Sequence, residues 1–423
     1  MFLETEGAPP AQPKPRRLAT GEMTTPAPDA APLGLYVHVP FCARKCEYCA
    51  FYSEAGNGEV VNRYVDALVR ELELVATDLR PETIFFGGGT PSLLNLRQWE
   101  KILRAMQRLN LLGATEWTIE CNPATVSLDK AKLLRDFGVN RISMGVQSLD
   151  ANLLERLGRI HSREMVFKSF DTLRAAGFSN INVDLMFAIP GQTMSIWKST
   201  LAEAIALGSE HLSSYEVIYE EDTPLYQQLQ AGEFDVNEEL ACEMYEELLS
   251  AAAANGFQQY EIANFARDKN GSADSQKNLP AKIQQSIPFF ACRHNINYWR
   301  GGSFYGLGPS AAGYVRGVRT KNFSNTTLYC EQLEKGKRAI ESSEALKPLA
   351  RAGELAAFGL RMNTGWPLVE FQEKTGYELV AEWKTEIKQM IDLGYAELDT
   401  ERFQLTARGL RYADWAAELF LKI

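Results

Sequence analysis

The sequence predicts a parallel α/β fold, and three observations carry that expectation. Short apolar, β-branched or aromatic runs recur six times from Leu35 onward. Longer stretches with apolar residues every three or four positions lie between them. The order is strand then helix throughout, which aligns the strands side by side through helical crossovers. On this pattern alone an open doubly wound sheet and a barrel are both possible.

The strand-like runs are Leu35–Val39, Thr83–Phe86, Glu116–Cys121, Arg141–Val146, Asn180–Leu185 and Leu212–Val217. Helical patterns fall near 59–78, 96–109, 127–137, 150–176, 193–207 and 236–255. In the first of these, Val61, Tyr64, Val65, Leu68, Leu72 and Val75 share one face. Residues 1–32 hold seven of the chain's 18 prolines among Ala and Thr, a composition that cannot bury enough apolar surface to order itself, so a disordered tail is expected. Residues 33–265 are expected to form the main α/β domain, 266–291 a polar insertion loop, and 292–344 a segment that completes the domain. From 345 to 423, helical patterns at 351–362, 367–375 and 379–393, a hairpin at 395–398 and 403–405, and a last helix from 407 suggest a winged-helix-like module. That module carries ten Lys/Arg against twelve Asp/Glu, so packing or docking is expected of it and not DNA binding.

The 423 residues suit two or three domains, and the net charge of −10 argues against a general nucleic-acid binder. No uncharged apolar run reaches the ~18 residues of a membrane span, and the N-terminus lacks the basic and apolar regions of a secretory signal. There are seven cysteines, an odd number, and three fall within eight residues. That crowding suits a reduced, intracellular metal or cluster site better than a disulfide framework.

The three are Cys42, Cys46 and Cys49, a C-x3-C-x2-C motif directly after the first strand. Three thiolates on one tight loop can hold three corners of an iron–sulfur cubane and leave one iron open. A zinc knuckle completed by His38, or structural cysteines, are the alternatives. Paired spacings with a second pair are usual for zinc, and no second pair exists here.

The motif resembles the signature of the radical S-adenosylmethionine (SAM) superfamily. The resemblance implies a partial (β/α)6 TIM-like barrel, a 4Fe-4S cluster whose open iron binds SAM, and reductive cleavage of SAM to a 5′-deoxyadenosyl radical. In βα barrels, chemistry sits at the C-terminal ends of the strands. Here those ends carry the cysteine loop, Gly87-Gly88-Gly89-Thr90-Pro91, Glu120, Gln147, Asp184 and, near the sixth, Glu216. Glycines without Cβ atoms let backbone approach a ligand.

The stretches Gly34–Cys42, Gly87–Ser92, Glu120–Pro123, Gly145–Ser148 and Val183–Thr193 further resemble the oxygen-independent coproporphyrinogen III oxidase (HemN) family and its HemW relatives. By position the resemblance implies SAM contacts from Tyr36, Tyr48, Gly88, Gly89, Thr90, Glu120, Gln147, Arg159 and Asp184. Two places separate the family's branches. The oxidase has a further cysteine where this chain has Phe51, and the HemW branch carries an aromatic there. His294-Asn295-Ile296-Asn297-Tyr298-Trp299 matches the HNxxYW motif of HemW-type haem chaperones, which makes His294, Asn295, Tyr298 and Trp299 haem-binding candidates. The bland alternative is a structural histidine at a domain junction. Cys292 is the other thiol to watch as a haem ligand.

The expectation is a haem chaperone that binds a 4Fe-4S cluster, SAM and haem and passes haem to acceptors such as respiratory proteins, with an electron donor for the cluster. The alternative is a coproporphyrinogen III oxidase that forms protoporphyrinogen IX. The expected location is the cytoplasm, with peripheral docking at the inner membrane face left open. The family usually passes directly from Asn264–Arg267 to the Cys-Arg-His-Asn stretch; this chain inserts roughly 20 residues.

Overall fold

The computed structural model describes residues 33–123, 125–269 and 287–421; the proline-rich tail and most of the polar insertion lie outside these. Six parallel strands form the centre: β1 (Leu33–Val39), β2 (Thr83–Gly88), β3 (Glu116–Cys121), β4 (Arg141–Gln147), β5 (Ile181–Phe187) and β6 (His211–Glu216). The helices between them are α1 (Gly58–Val75), α2 (Leu96–Arg108), α3 (Leu128–Asp136), α4 (Ala151–Arg156), α5 (Arg163–Ala175) and α6 (Met194–Ala206). After β6 come α7 (Pro224–Gln230), α8 (Glu238–Ala254), β7 (Phe257–Glu261) and β8 (Asn264–Arg267). All eight helices begin at a Ser, Thr, Asn or Asp whose side chain accepts a backbone N–H, a cap worth ~1 kcal/mol each.

The period of two along each strand divides the residues by chemistry. Leu35, Val37, Ile84, Phe86, Trp117, Ile119, Ile142, Met144, Val183 and Leu185 are buried in one core with the helices. The alternate positions carry Tyr36, Phe85, Glu120, Ser143, Asp184 and Ser213, and from Phe85 onward these line a central cavity. The parallel sheet is a partial barrel. β1 pairs on its other side with β9 (Ser303–Leu307), also parallel, and β6 pairs with antiparallel β8, so β1 and β6 do not meet.

The reading of 150–176 as one helix is corrected. The chain breaks at Leu157, turns at Gly158 (φ 71°) and re-enters a helix at Arg163 under the Ser162 cap. The apolar spacing continues through the break, so periodicity conceals it.

A helix α9 (Arg293–Trp299) crosses from the N-terminal end of the barrel to the C-terminal domain. Its N-terminus has no side-chain cap of its own. Instead Glu116, at the start of β3, accepts the N–H groups of Arg293 and His294, each at 3.0 Å. At its other end Arg300 donates to Gly365 and Thr364, and Arg361 lies over the Trp299 ring. The C-terminal domain builds its own core around Trp366, Phe371, Trp383, Phe403 and Phe420. Its helices span 348–359, 368–375, 379–382, 384–392 and 413–420, with a three-stranded sheet ordered 366–367, 402–405, 396–398. The strand at Trp366 is an addition to the expected hairpin.

Candidate active site

The cysteine loop leaves β1 at Phe41 and is closed at its base by reciprocal backbone bonds, Cys42 N–H to Glu54 and Glu54 N–H to Pro40. It docks on the turn that ends α4, where Glu47 N–H donates to the Leu157 carbonyl at 3.1 Å. That turn is also what delivers Arg159. Its Nη1 lies 3.5 Å from Cys46 Sγ and its Nη2 donates to the Gly145 carbonyl.

A cavity of about 620 Å³, within the range of small-molecule sites, opens beside this loop. Cys42, Cys46 and Cys49 line it together with Tyr48, Gly88, Gly89, Thr90, Glu120, Gln147, Arg159 and Asp184. Eight of the nine expected SAM contacts therefore face one space with the three thiols. Tyr36 does not; its hydroxyl bonds His38 Nδ1 at 2.9 Å. Asp184 sits in the middle of β5 and not at its end, directed inward by the strand's alternation. Gln147 reaches the cavity through a bulge between Gly145 and Gln147, with φ at +65°. A non-glycine residue held there costs on the order of 1 kcal/mol, of a kind that clusters at functional sites.

The glycine turn lines the cavity and also packs closely on protein. A Cβ on Gly87 would meet Glu120 at 3.0 Å, one on Gly88 the His38 ring at 2.5 Å, and one on Gly89 the Phe41 carbonyl at 2.8 Å. Protein, and not only a ligand, takes the space the missing Cβ atoms leave.

The donor set fits an iron–sulfur cluster. Three thiols share one loop; burial first, and then the neighbouring Cys46 and Cys42, push Cys49 up. A cationic cluster relieves that mutual repulsion. His38 is not free to complete a zinc site as it stands, because Nδ1 is bonded to Tyr36 and Nε2 lies 2.8 Å from the Tyr52 carbonyl.

The cavity's acids are perturbed. Burial, and then the Asp184 charge, push Glu120 up to about 8. Burial also raises Asp184, against hydrogen bonds from Asn182 and Ser143. Arg141 is a buried cation at the deep end, with one long bond to Thr118. At the mouth, Phe51, Ile160 and Ile218 are exposed and apolar.

The HNxxYW residues lie at the opposite end. Only Asn295 lines the cavity. His294 is buried, stacked on Phe85, with Nδ1 2.9 Å from Thr83 Oγ1 and Nε2 2.6 Å from the Tyr298 hydroxyl. Burial and Arg141 push it down to about 3, so it is neutral. Trp299 sits at the domain junction beside Arg361. Cys292 donates to Glu116, and burial pushes its thiol up to about 12, which makes it a poor iron ligand at neutral pH. Sequence reasoning missed Glu116 and Arg141; their signal was only that they open strands at inward positions.

A three-cysteine loop above a polar lumen, on six parallel strands, defines a radical SAM barrel. Residues 36–204 match the model of the radical SAM superfamily, and residues 346–412 that of the HemN C-terminal domain. The chain is 32% identical to the heme chaperone HemW of Lactococcus lactis, over 92% of this chain and 97% of that protein. It is 33% identical to HemW of Bacillus subtilis, over 88% and 95%. Among solved structures, coproporphyrinogen III oxidase (HemN) of Escherichia coli superposes with a TM-score of 0.78 at 22% identity, covering 94% of this chain and 91% of that one. The chain belongs to the HemW family of radical SAM proteins. Among the described residues no helix is long and apolar enough to cross a membrane.

Proposed function

We propose that this chain is a haem chaperone that holds a 4Fe-4S cluster on Cys42, Cys46 and Cys49, binds SAM in the lumen, and passes haem to acceptor proteins in the cytoplasm or at the inner membrane face. The observation that carries the reading is Phe51, an exposed aromatic two residues after Cys49, in a chain alike to HemW over nearly its whole length. When bound, the cluster supplies an electron and one open coordination position. The residues around it bind and orient. Arg159 pairs the carboxylate of an amino acid moiety; Glu120 and Asp184 accept from ammonium or ribose hydroxyl groups. The Thr90 hydroxyl, 3.6 Å from Cys42 Sγ, positions that thiol. Phe51, Ile160 and Ile218 offer apolar surface at the mouth. His294 is the candidate haem ligand, and it would reach an iron only where the Tyr298 hydroxyl gives up Nε2, with Tyr298 and Trp299 beside it.

Anaerobic reconstitution followed by two assays on one sample tests the reading. The expected result is stoichiometric haem binding and no turnover of coproporphyrinogen III. Formation of protoporphyrinogen IX overturns it in favour of the oxidase. Cys46→Ala is expected to reduce cluster iron and sulfide to background.

A further inference from the structure

From the cavity wall a chain of polar groups runs back to α9: Asp184, Asn182, Ser143 and Ser213 line the cavity, and His211 and Tyr260 lie behind them with no ligand role. Asp184 Oδ1 and the Asn182 amide nitrogen are 2.7 Å apart, and Ser143 Oγ is 3.1 Å from Asp184 Oδ2. Asn182 Oδ1 lies 2.7 Å from His211 Nδ1 and 3.1 Å from Ser213 Oγ. His211 Nε2 is 2.8 Å from the Tyr260 hydroxyl, whose oxygen accepts the Cys292 N–H at 3.1 Å. Asn182, His211 and Tyr260 are all buried.

With Asp184 ionised, these groups fit together in one sense. An ionised Asp184 can only accept, so Asn182 must turn its NH2 toward it. The amide oxygen then faces His211, and Nδ1 must carry the proton. Burial, and then the Arg141 charge, hold His211 neutral, so Nε2 is bare and takes the Tyr260 proton. The reverse arrangement sets the Asn182 oxygen against a carboxylate. Each partner therefore fixes the next, from the backbone at the N-terminus of α9 to the carboxylate in the lumen.

We propose that His211 is a positioning residue for the lumen site: through Asn182 it holds Asp184 with both oxygens ready to accept from a ligand. The inference rests on Asp184 being a SAM contact, and it adds that the grip on SAM is set from outside the cavity. Buried hydrogen-bond chains of this kind are worth more than their pairs taken singly.

The test is SAM affinity by calorimetry on reconstituted protein. His211→Phe keeps the ring volume and loses both bonds; its SAM affinity is expected to fall about ten-fold. His211→Asn puts an amide N–H near the place of Nδ1 and is expected to restore most of that loss, which a purely structural role does not predict. Tyr260→Phe, the mildest change, should weaken SAM about three-fold with cluster content intact. Nitrogen NMR of His211 should show Nδ1 protonated and Nε2 bare. Wild-type affinity in His211→Phe, no rescue by His211→Asn, or a proton on Nε2 overturns the proposal. Failure of the wild-type protein to bind SAM at all overturns the lumen reading itself, so the two failures are distinct.

Discussion

Glu120 Oε2 accepts the Gly88 N–H at 3.2 Å, which seats the carboxylate of β3 against the glycine turn of β2. Burial and Asp184 push this acid up to about 8, against an ordinary value of 4.5. Between those two pH values the folded protein holds a proton that the unfolded chain has released. Stability therefore falls as pH rises across that window, by up to ~1.4 kcal/mol per pH unit. Glu120→Gln keeps an oxygen for Gly88 and has no proton to lose. Its melting temperature should change less than that of the wild type between pH 5 and 8; parallel curves count against the assignment.

Gly88 has φ of +105°, and a Cβ there stands 2.5 Å from the His38 ring. Gly88→Ala must strain the backbone by ~1–2 kcal/mol and displace the ring that ties Tyr36 to the Tyr52 carbonyl. The expected result is a loss of SAM affinity of ten-fold or more, read by calorimetry. Unchanged affinity shows that the turn tolerates the methyl group and that His38 does not fix the site.

His294 can give Nε2 to a haem iron only after the Tyr298 hydroxyl leaves it. Tyr298→Phe removes that competitor, a bond of ~1 kcal/mol, so haem affinity should rise about five-fold. His294→Ala should lower it. Titration of the Soret band measures both, and a His294→Ala protein that titrates like the wild type excludes this histidine as the ligand.

Glu116→Ala leaves the N–H groups of Arg293 and His294 without their acceptor. The expected cost is ~2–4 kcal/mol in urea unfolding, with faster amide exchange confined at first to 293–299. Glu116→Gln keeps one accepting oxygen and should lose about half as much. Equal losses for both variants indicate that the charge, and not the acceptor geometry, holds the helix.

Much of this molecule is legible in its sequence, because period-two alternation and cysteine spacing are local signals. Strands β3 and β4 fall within a residue of their expected bounds, and the three thiols share one cavity with eight residues placed there by resemblance. What escaped was set by distant partners. Gly158 breaks a helix whose apolar pattern runs on, and at that break the Leu157 carbonyl accepts the Glu47 N–H of the cysteine loop, a partner far earlier in the chain that the local pattern does not show. Glu116 reads as a polar strand start until α9 arrives from 177 residues later. For His294 the sequence leaves a haem ligand and a structural histidine side by side, because Thr83 and Tyr298, the partners of its two nitrogens, are not visible in the motif.

The pairing of β1 with β9 and of β6 with β8 has a mechanical consequence. In a closed barrel, strand number and shear set the radius, and widening it breaks a ladder. An arc of strands carries no such closure condition. A small change of twist, summed over six strands, can open the lumen with every backbone hydrogen bond kept. The stiffness of that arc, and not a fixed radius, then sets the width of the lumen, and it becomes a property on which selection can act.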